Sequence, residues 1–111
     1  MRIEIHAKKI AVDDSLRADI ERRLSVAIGR FAEFIGRVTV HLAASNGAGH
    51  AGHKQCRICV TLKSWGNVEL AESDADLNAA TARATSRLGL AVAGELWRQR
   101  ESQRNYRVSE A

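Results

Sequence analysis

Two histidines and two cysteines follow one another at three-residue steps near the middle of the chain, as His50-x2-His53-x2-Cys56-x2-Cys59. Imidazole and thiolate groups are common zinc ligands at such spacings. Cys56 and Cys59, however, lie in an alternating segment that predicts a strand, where an odd offset places side chains on opposite faces. We therefore expect no metal, no other cofactor and no disulfide, and we interpret Cys56 as a small core residue.

Catalysis would need a nucleophile beside a base, or two carboxylates in a cleft. His6 and His41 are candidates to be neighbours on one face of a sheet, and Cys59 could lie near His41. An exposed sheet face does little to exclude water, and no orienting acid is evident beyond Glu4. We therefore expect surface histidines, no enzyme activity and no small-molecule substrate.

The charge of the chain is basic and dominated by arginine. Lys and Arg number 17, Asp and Glu number 13, and the formal net charge is +4. Thirteen of the 17 basic residues are Arg, and no acidic residue occurs between Glu33 and Glu69. Because the guanidinium group suits bidentate phosphate contact, nucleic acid is the first partner to consider.

Length and composition predict one globular domain. The 111 residues can bury a core of their own, and 45% apolar residues are too many for a disordered chain. No apolar run approaches the ~20 residues of a membrane span. The N-terminus alternates like a strand and has no signal-peptide core. We therefore expect a cytoplasmic protein without a membrane partner.

The elements alternate as strand, helix, three strands and helix. Alternating apolar residues predict the strands, and apolar residues at three- and four-residue steps predict two helices. Asp13 or Asp14 could cap the first helix and Ser73 the second, whereas residues 45–53 read as a glycine-rich loop. The predicted strands are residues 2–6, 38–43, 56–63 and 68–70.

This order predicts an α+β fold of two layers, β-α-β-β-β-α. The first strand-helix-strand unit should be a parallel crossover and the other strands a meander. Each strand has one apolar face, so both helices should cover one face of a four-stranded mixed sheet, as in double-stranded-RNA-binding domains. The domain is predicted over residues 1–97, with a basic, flexible tail over 98–111. The open face would carry Arg2, Glu4, His6, Thr39, His41, Arg57, Cys59, Thr61 and Lys63.

Five arginines lie off the apolar stripes of the helices: Arg22, Arg23 and Arg30 on the first, and Arg83 and Arg87 on the second. If the helices lie side by side, these residues could form one basic strip that binds phosphates. The alternative is an ordinary solvated helix face.

The fold order favours double-stranded RNA, which is recognised by its shape, over other nucleic acids. Nothing resembles a DNA-reading helix-turn-helix. The predicted open face has no base-stacking aromatic residues, and we interpret Phe31 and Phe34 as core.

Several segments are shared, in order, with one known family over residues 1 to about 100. The segments are Ile3-x-Ile5, Asp13-x-x-Leu16-Arg17, Leu24-Ser25, Phe31, Arg37-Val38-Thr39-Val40-His41-Leu42, Asn46-Gly47, Lys54-x-Cys56-Arg57, Asp76-Leu77-x-Ala79-Ala80 and Arg87-Leu88. On these residues the chain resembles the ribosome hibernation-promoting factors, also called ribosome-associated inhibitors or the sigma-54 modulation protein family. It resembles the short form, without the C-terminal dimerisation domain of the long members.

The resemblance implies a bacterial factor that binds the small ribosomal subunit and its rRNA near the decoding centre. There it would block the mRNA and tRNA paths and inhibit translation in idle cells. By position, Arg23, Arg30 and Arg87 carry over as phosphate contacts, and the charge distribution adds four more residues. The candidate RNA-binding residues are Lys8, Lys9, Arg22, Arg23, Arg30, Arg83 and Arg87.

The chain departs from the family pattern in two helix segments. Residues 26–29 and 88–92 are apolar where the family often has charged residues, so phosphate contacts could be lost there. Exposed Leu90 and Trp97 suggest an alternative function as a protein-interaction module. That module would form a homodimer or bind a protein partner through these residues or through the open sheet face.

Overall fold

The computed structural model describes residues 1–44 and 53–110, with side chains as far as residue 102. The observed order is the predicted β-α-β-β-β-α, which is confirmed. The predicted loop, apart from its last residue His53, lies outside the described residues. The elements are β1 (Arg2–Lys8), α1 (Asp14–Ile28), a short 3-10 helix (Gly29–Phe34), β2 (Ile35–Ala44), β3 (Lys54–Leu62), β4 (Asn67–Asp74) and α2 (Leu77–Glu110).

The four strands form one mixed sheet in the order β1-β2-β3-β4. β1 runs parallel to β2, with Ile3 opposite Val38, and the other two pairings are antiparallel. This is the predicted crossover followed by a meander. Strand alternation then places one apolar face against the helices and leaves the other face open.

A single core joins that apolar face to both helices. Every second residue is buried from Val38 to Leu42 in β2 and from Cys56 to Leu62 in β3, and each helix contributes residues one turn apart. The predicted placement of both helices on one face is therefore confirmed. The buried apolar residues are Ile20, Leu24, Ile28, Ile35, Val38, Val40, Leu42, Cys56, Ile58, Val60, Leu62, Ala80, Ala84, Leu88 and Val92.

Each helix has an aspartate at its start, but only the cap of the first helix is the predicted one. Asp13 caps α1 as predicted, because its side chain accepts a hydrogen bond from the Leu16 backbone N–H at 2.8 Å. The predicted Ser73 cap is wrong, since Ser73 pairs with Gln55 within β4. Asp76 takes that role instead, and its Oδ1 accepts from the backbone N–H of Asn78 at 3.0 Å.

The second helix is longer than predicted. α2 continues through Glu110, so the segment expected as a flexible tail over 98–111 is helical as far as residue 110. The reason is compositional: after Gly94 no Gly or Pro interrupts the chain, and Arg, Gln and Glu are good helix formers. A domain boundary at Trp97 stays a prediction. No described helix is both long and apolar enough to span a membrane.

Candidate nucleic-acid interface

An open groove of about 660 Å³ runs between α1 and α2. Three of the predicted arginines line it, Arg22 and Arg23 from α1 and Arg30 from the 3-10 helix, and small residues line much of the opposite wall. No acidic side chain is among the lining residues, so the groove presents positive charge to solvent. The full lining is Arg22, Arg23, Val26, Ala27, Arg30, Ala82, Thr85, Ser86, Gly89 and Leu90.

Gly89 allows the two helices to approach closely at the floor of this groove. A Cβ atom at this position would lie 3.1 Å from the backbone oxygen of Ala27 on α1. From the sequence alone, Gly89 is expected only to lower the stability of α2, since Gly destabilises a helix by about 1 kcal/mol relative to Ala. The structure shows what offsets that cost: α1 and α2 pack backbone to backbone here.

The three groove arginines differ in how strongly they are held. Arg22 and Arg23 share one carboxylate, Asp19, and Arg23 Nε lies 2.9 Å from its Oδ2. The guanidinium of Arg30 stacks 4.7 Å from the centroid of the Phe31 ring and makes no ion pair within the described residues. One carboxylate cannot neutralise two guanidinium groups, so the α1 side of the groove keeps a surplus of positive charge.

Arg83 and Arg87 lie on the other flank of α2, against β4, and do not join the groove. Arg83 pairs with Asp74 at 3.1 Å and donates to the Ser73 carbonyl at 2.7 Å. Arg87 pairs with Glu72 at 3.2 Å. The single basic strip predicted from the sequence is therefore not formed, because the body of α2 separates the two sets.

The two lysines form a third, separate group at the end of β1. Lys8 is the last residue of the strand, and Lys9 follows with a positive φ of 62°. Both side chains are exposed, and neither lines the groove between the helices. That these seven residues bind RNA stays a prediction.

The apolar segments 26–29 and 88–92 contribute side chains to the core, and only part of each segment replaces charged surface. Ile28, Leu88 and Val92 are buried. Only Val26, 83% exposed, and Leu90, 78% exposed, present large apolar side chains to the groove. The groove is thus amphipathic, with two aliphatic side chains among its arginines.

An exposed aromatic surface lies beyond the groove, near the end of the 3-10 helix. Phe34 is 47% exposed, so its interpretation as core is wrong, and Trp97 is 60% exposed. With Phe31 and Leu96 they line a second depression of about 510 Å³. The exposure of Phe34 could not be predicted from helical periodicity, because Phe34 follows the end of α1 and the spacing of apolar residues no longer indicates which side is buried.

The cysteines lie on opposite faces of β3, as expected. Cys56 is buried in the core, and burial raises the pKa of its thiol to about 11, with a smaller opposing effect of the Thr81 hydroxyl. Cys59 lies on the open face opposite Thr39. Among the side chains that the structure describes, in residues 1–44 and 53–102, no three His, Cys, Asp or Glu groups converge on a metal position. His50 lies outside the described residues.

Comparison with known proteins identifies the family. The profile of the sigma 54 modulation protein / S30EA ribosomal protein family matches residues 3–92. No curated protein sequence gives a significant match.

The fold is similar to the N-terminal domain of Thermus thermophilus Protein Y, with a TM-score of 0.67 and 27% identity over 81% of this chain and 93% of that one. It is also similar to a ribosomal subunit interface protein from Coxiella burnetii, with a TM-score of 0.71 and 13% identity over 86% and 97% of the two chains. The resemblance seen in the sequence is confirmed: the chain belongs to the sigma 54 modulation protein / S30EA ribosomal protein family.

Proposed function

We propose that this protein is a bacterial, cytoplasmic factor that binds the small ribosomal subunit near the decoding centre and inhibits translation in idle cells. It acts by occupying the mRNA and tRNA paths, without a catalytic step. Membership in a ribosome-associated family supports the ribosome as the target. The printed name of the Coxiella protein, a ribosomal subunit interface protein, supports the same assignment.

One observation carries the RNA contact: the groove between α1 and α2 is lined by three arginines and by no acid. Arg30 is the strongest candidate, since it makes no ion pair within the described part of the chain and its ring contact holds the guanidinium in place. Each phosphate neutralised by such a group releases counterions, so the affinity should fall steeply with salt. Lys8 and Lys9 would add contacts at the end of the sheet.

Arg83 and Arg87 are expected to contribute less. Each already neutralises a β4 carboxylate, and an RNA phosphate would have to compete with Asp74 or Glu72. They remain candidates because both side chains are about half exposed, and because a guanidinium has five N–H donors, more than one carboxylate uses.

Translation in a purified bacterial system tests the proposal. Added protein should reduce synthesis from a reporter mRNA and release a fluorescent mRNA from small subunits. Arg30→Gln should weaken both effects, whereas Arg17→Gln is the matched control, an exposed α1 arginine that does not line the groove. Undiminished translation with the protein bound to small subunits would refute inhibition at the decoding centre.

A second candidate function rests on the exposed aromatic surface. Phe34, Trp97 and the nearby Leu96 form an apolar depression that suits a protein partner or a second copy of the chain. Leu90, two turns before Trp97, extends apolar exposure along α2. If this function holds, Trp97→Gln should abolish self-association or partner binding measured by sedimentation velocity while leaving RNA binding unchanged.

A further inference from the structure

The face of the sheet opposite the helices is basic. Strand register places four cationic side chains on it and only two carboxylates, a net charge of +2 with the histidines neutral. This is half of the formal charge of the whole chain. The cations are Arg2, Lys8, Arg37 and Arg57, the carboxylates are Glu4 and Glu69, and the histidines are His6 and His41.

The two histidines form a stacked pair on this face. Their ring centroids lie 5.4 Å apart with 23° between the ring planes, because His6 and His41 are direct partners in the parallel β1–β2 pairing. His41 is in turn opposite Arg57 on β3. Three neighbouring strands therefore present one row of nitrogen donors to solvent.

The two carboxylates on this face do not neutralise the row formed by His6, His41 and Arg57. Glu4 is one row away and is shared by two arginines, with Arg37 at 3.2 Å and Arg2 at 3.9 Å. It lies 3.8 Å from His6. Glu69 lies 3.6 Å from Arg57 but is itself about half exposed. An anion that reaches the row would meet a surplus of positive charge.

We propose that this face binds the phosphate backbone of a second RNA segment, with a phosphate held over His6, His41 and Arg57. The inference rests on the proposed function and adds to it a contact on the opposite side of the molecule from the helix groove. The charge favours an anion. The exposed row of donors suits contact with a backbone phosphate, the group to which most protein–nucleic acid hydrogen bonds are made.

Binding at this row should be coupled to proton uptake. Desolvation, then the neighbouring Arg57 and then His6 lower the pKa of His41, and Glu69 acts in the opposite direction. Glu4 and Lys8 on β1 and Arg37 on β2 are the other charged groups on this face near the pair. A phosphate placed beside His41 supplies the negative charge that favours its protonated form, so binding should tighten as the pH falls.

The test is the affinity of the full chain for an RNA duplex of about 12 base pairs, at constant ionic strength and at about pH 6 and about pH 8. A phosphate about 5 Å from a new charge strengthens binding about fourfold per proton in a solvent-like dielectric. The wild type should bind more tightly at the lower pH, by up to about this factor for each proton taken up. The His6→Gln/His41→Gln variant should lose the difference while keeping the affinity seen at the higher pH.

The outcomes separate this inference from the proposed function. If small subunits bind but the double variant keeps the full pH dependence, the inference is wrong and the proposed function stands. If small subunits do not bind while the duplex shows the histidine-dependent change, the proposed function fails alone. Equal histidine-dependent binding of polyglutamate would assign the face to an acidic protein and overturn the RNA contact. Thermal unfolding of the variant checks that the exposed substitutions leave the fold intact.

Discussion

Replacing Gly89 and Gly94 with alanine, one at a time, tests the close packing that shapes the groove. Both glycines lie in α2, so each substitution gains up to about 1 kcal/mol of helix propensity. At Gly94 the added Cβ meets nothing within 4 Å, and the whole gain should appear as stability. At Gly89 the Cβ would lie 3.1 Å from the Ala27 backbone oxygen. Inserting an extra carbon into a well-packed region costs about 1–3 kcal/mol, so the net effect there should lie between zero and a loss of about 2 kcal/mol.

Urea and thermal unfolding of the two variants measure this difference. Gly94→Ala should raise the melting temperature by about 4–8 °C for a domain of this size. Gly89→Ala should be at least about 1 kcal/mol less stable than Gly94→Ala, with an unchanged dependence on denaturant. Equal stabilisation by the two substitutions would refute the reasoning, since it would mean that α1 and α2 can separate at no cost and that Gly89 does not set their distance.

Three further predictions concern the cap of α1 and the charged residues between β4 and α2. Asp13→Ala should destabilise the protein by about 1 kcal/mol, measured by urea unfolding, because α1 loses its side-chain cap. Asp74 has a lowered pKa, caused first by the Asp76 backbone N–H and then by Arg83. Its charged form therefore stabilises the fold above its unfolded pKa of about 4, and this contribution is lost as the pH falls through the lower folded value. Asp74→Asn should accordingly be less stable than the wild type at neutral pH, and the gap should close in strong acid, as followed by circular dichroism. A double-mutant cycle of Arg87→Gln with Glu72→Gln should give a coupling of at most about 1 kcal/mol, since the pair is partly exposed.

The sheet and the first helix could be predicted because each has an unambiguous period. Ile3 and Ile5 alternate with polar residues, and Ile20, Leu24 and Ile28 recur once per turn, so both patterns assign a buried face directly. The same alternation correctly separates Cys56 from Cys59. The fold order then follows from connection rules that leave few topologies.

The grouping of the arginines could not be predicted in the same way. Helical spacing shows that Arg83 and Arg87 lie off the buried stripe, but not on which flank of that stripe they fall. The flank depends on where α2 crosses the sheet, and the neighbouring β4 supplies Asp74 and Glu72 as partners. Phe34 was misassigned for a related reason, since burial in a 3-10 segment depends on its neighbours rather than on a periodic pattern.

Co-sedimentation with purified small ribosomal subunits across a salt series tests the central claim most directly. The wild type should bind at low salt and weaken steadily as salt rises. The Arg22→Gln/Arg23→Gln/Arg30→Gln variant should bind less tightly, with a log–log salt slope that is shallower by about 2–3, since each lost phosphate contact removes about 0.7–0.9. Arg17→Gln should leave the slope nearly unchanged. No binding of the wild type at low salt, or an unaltered slope in the triple variant, would contradict the account.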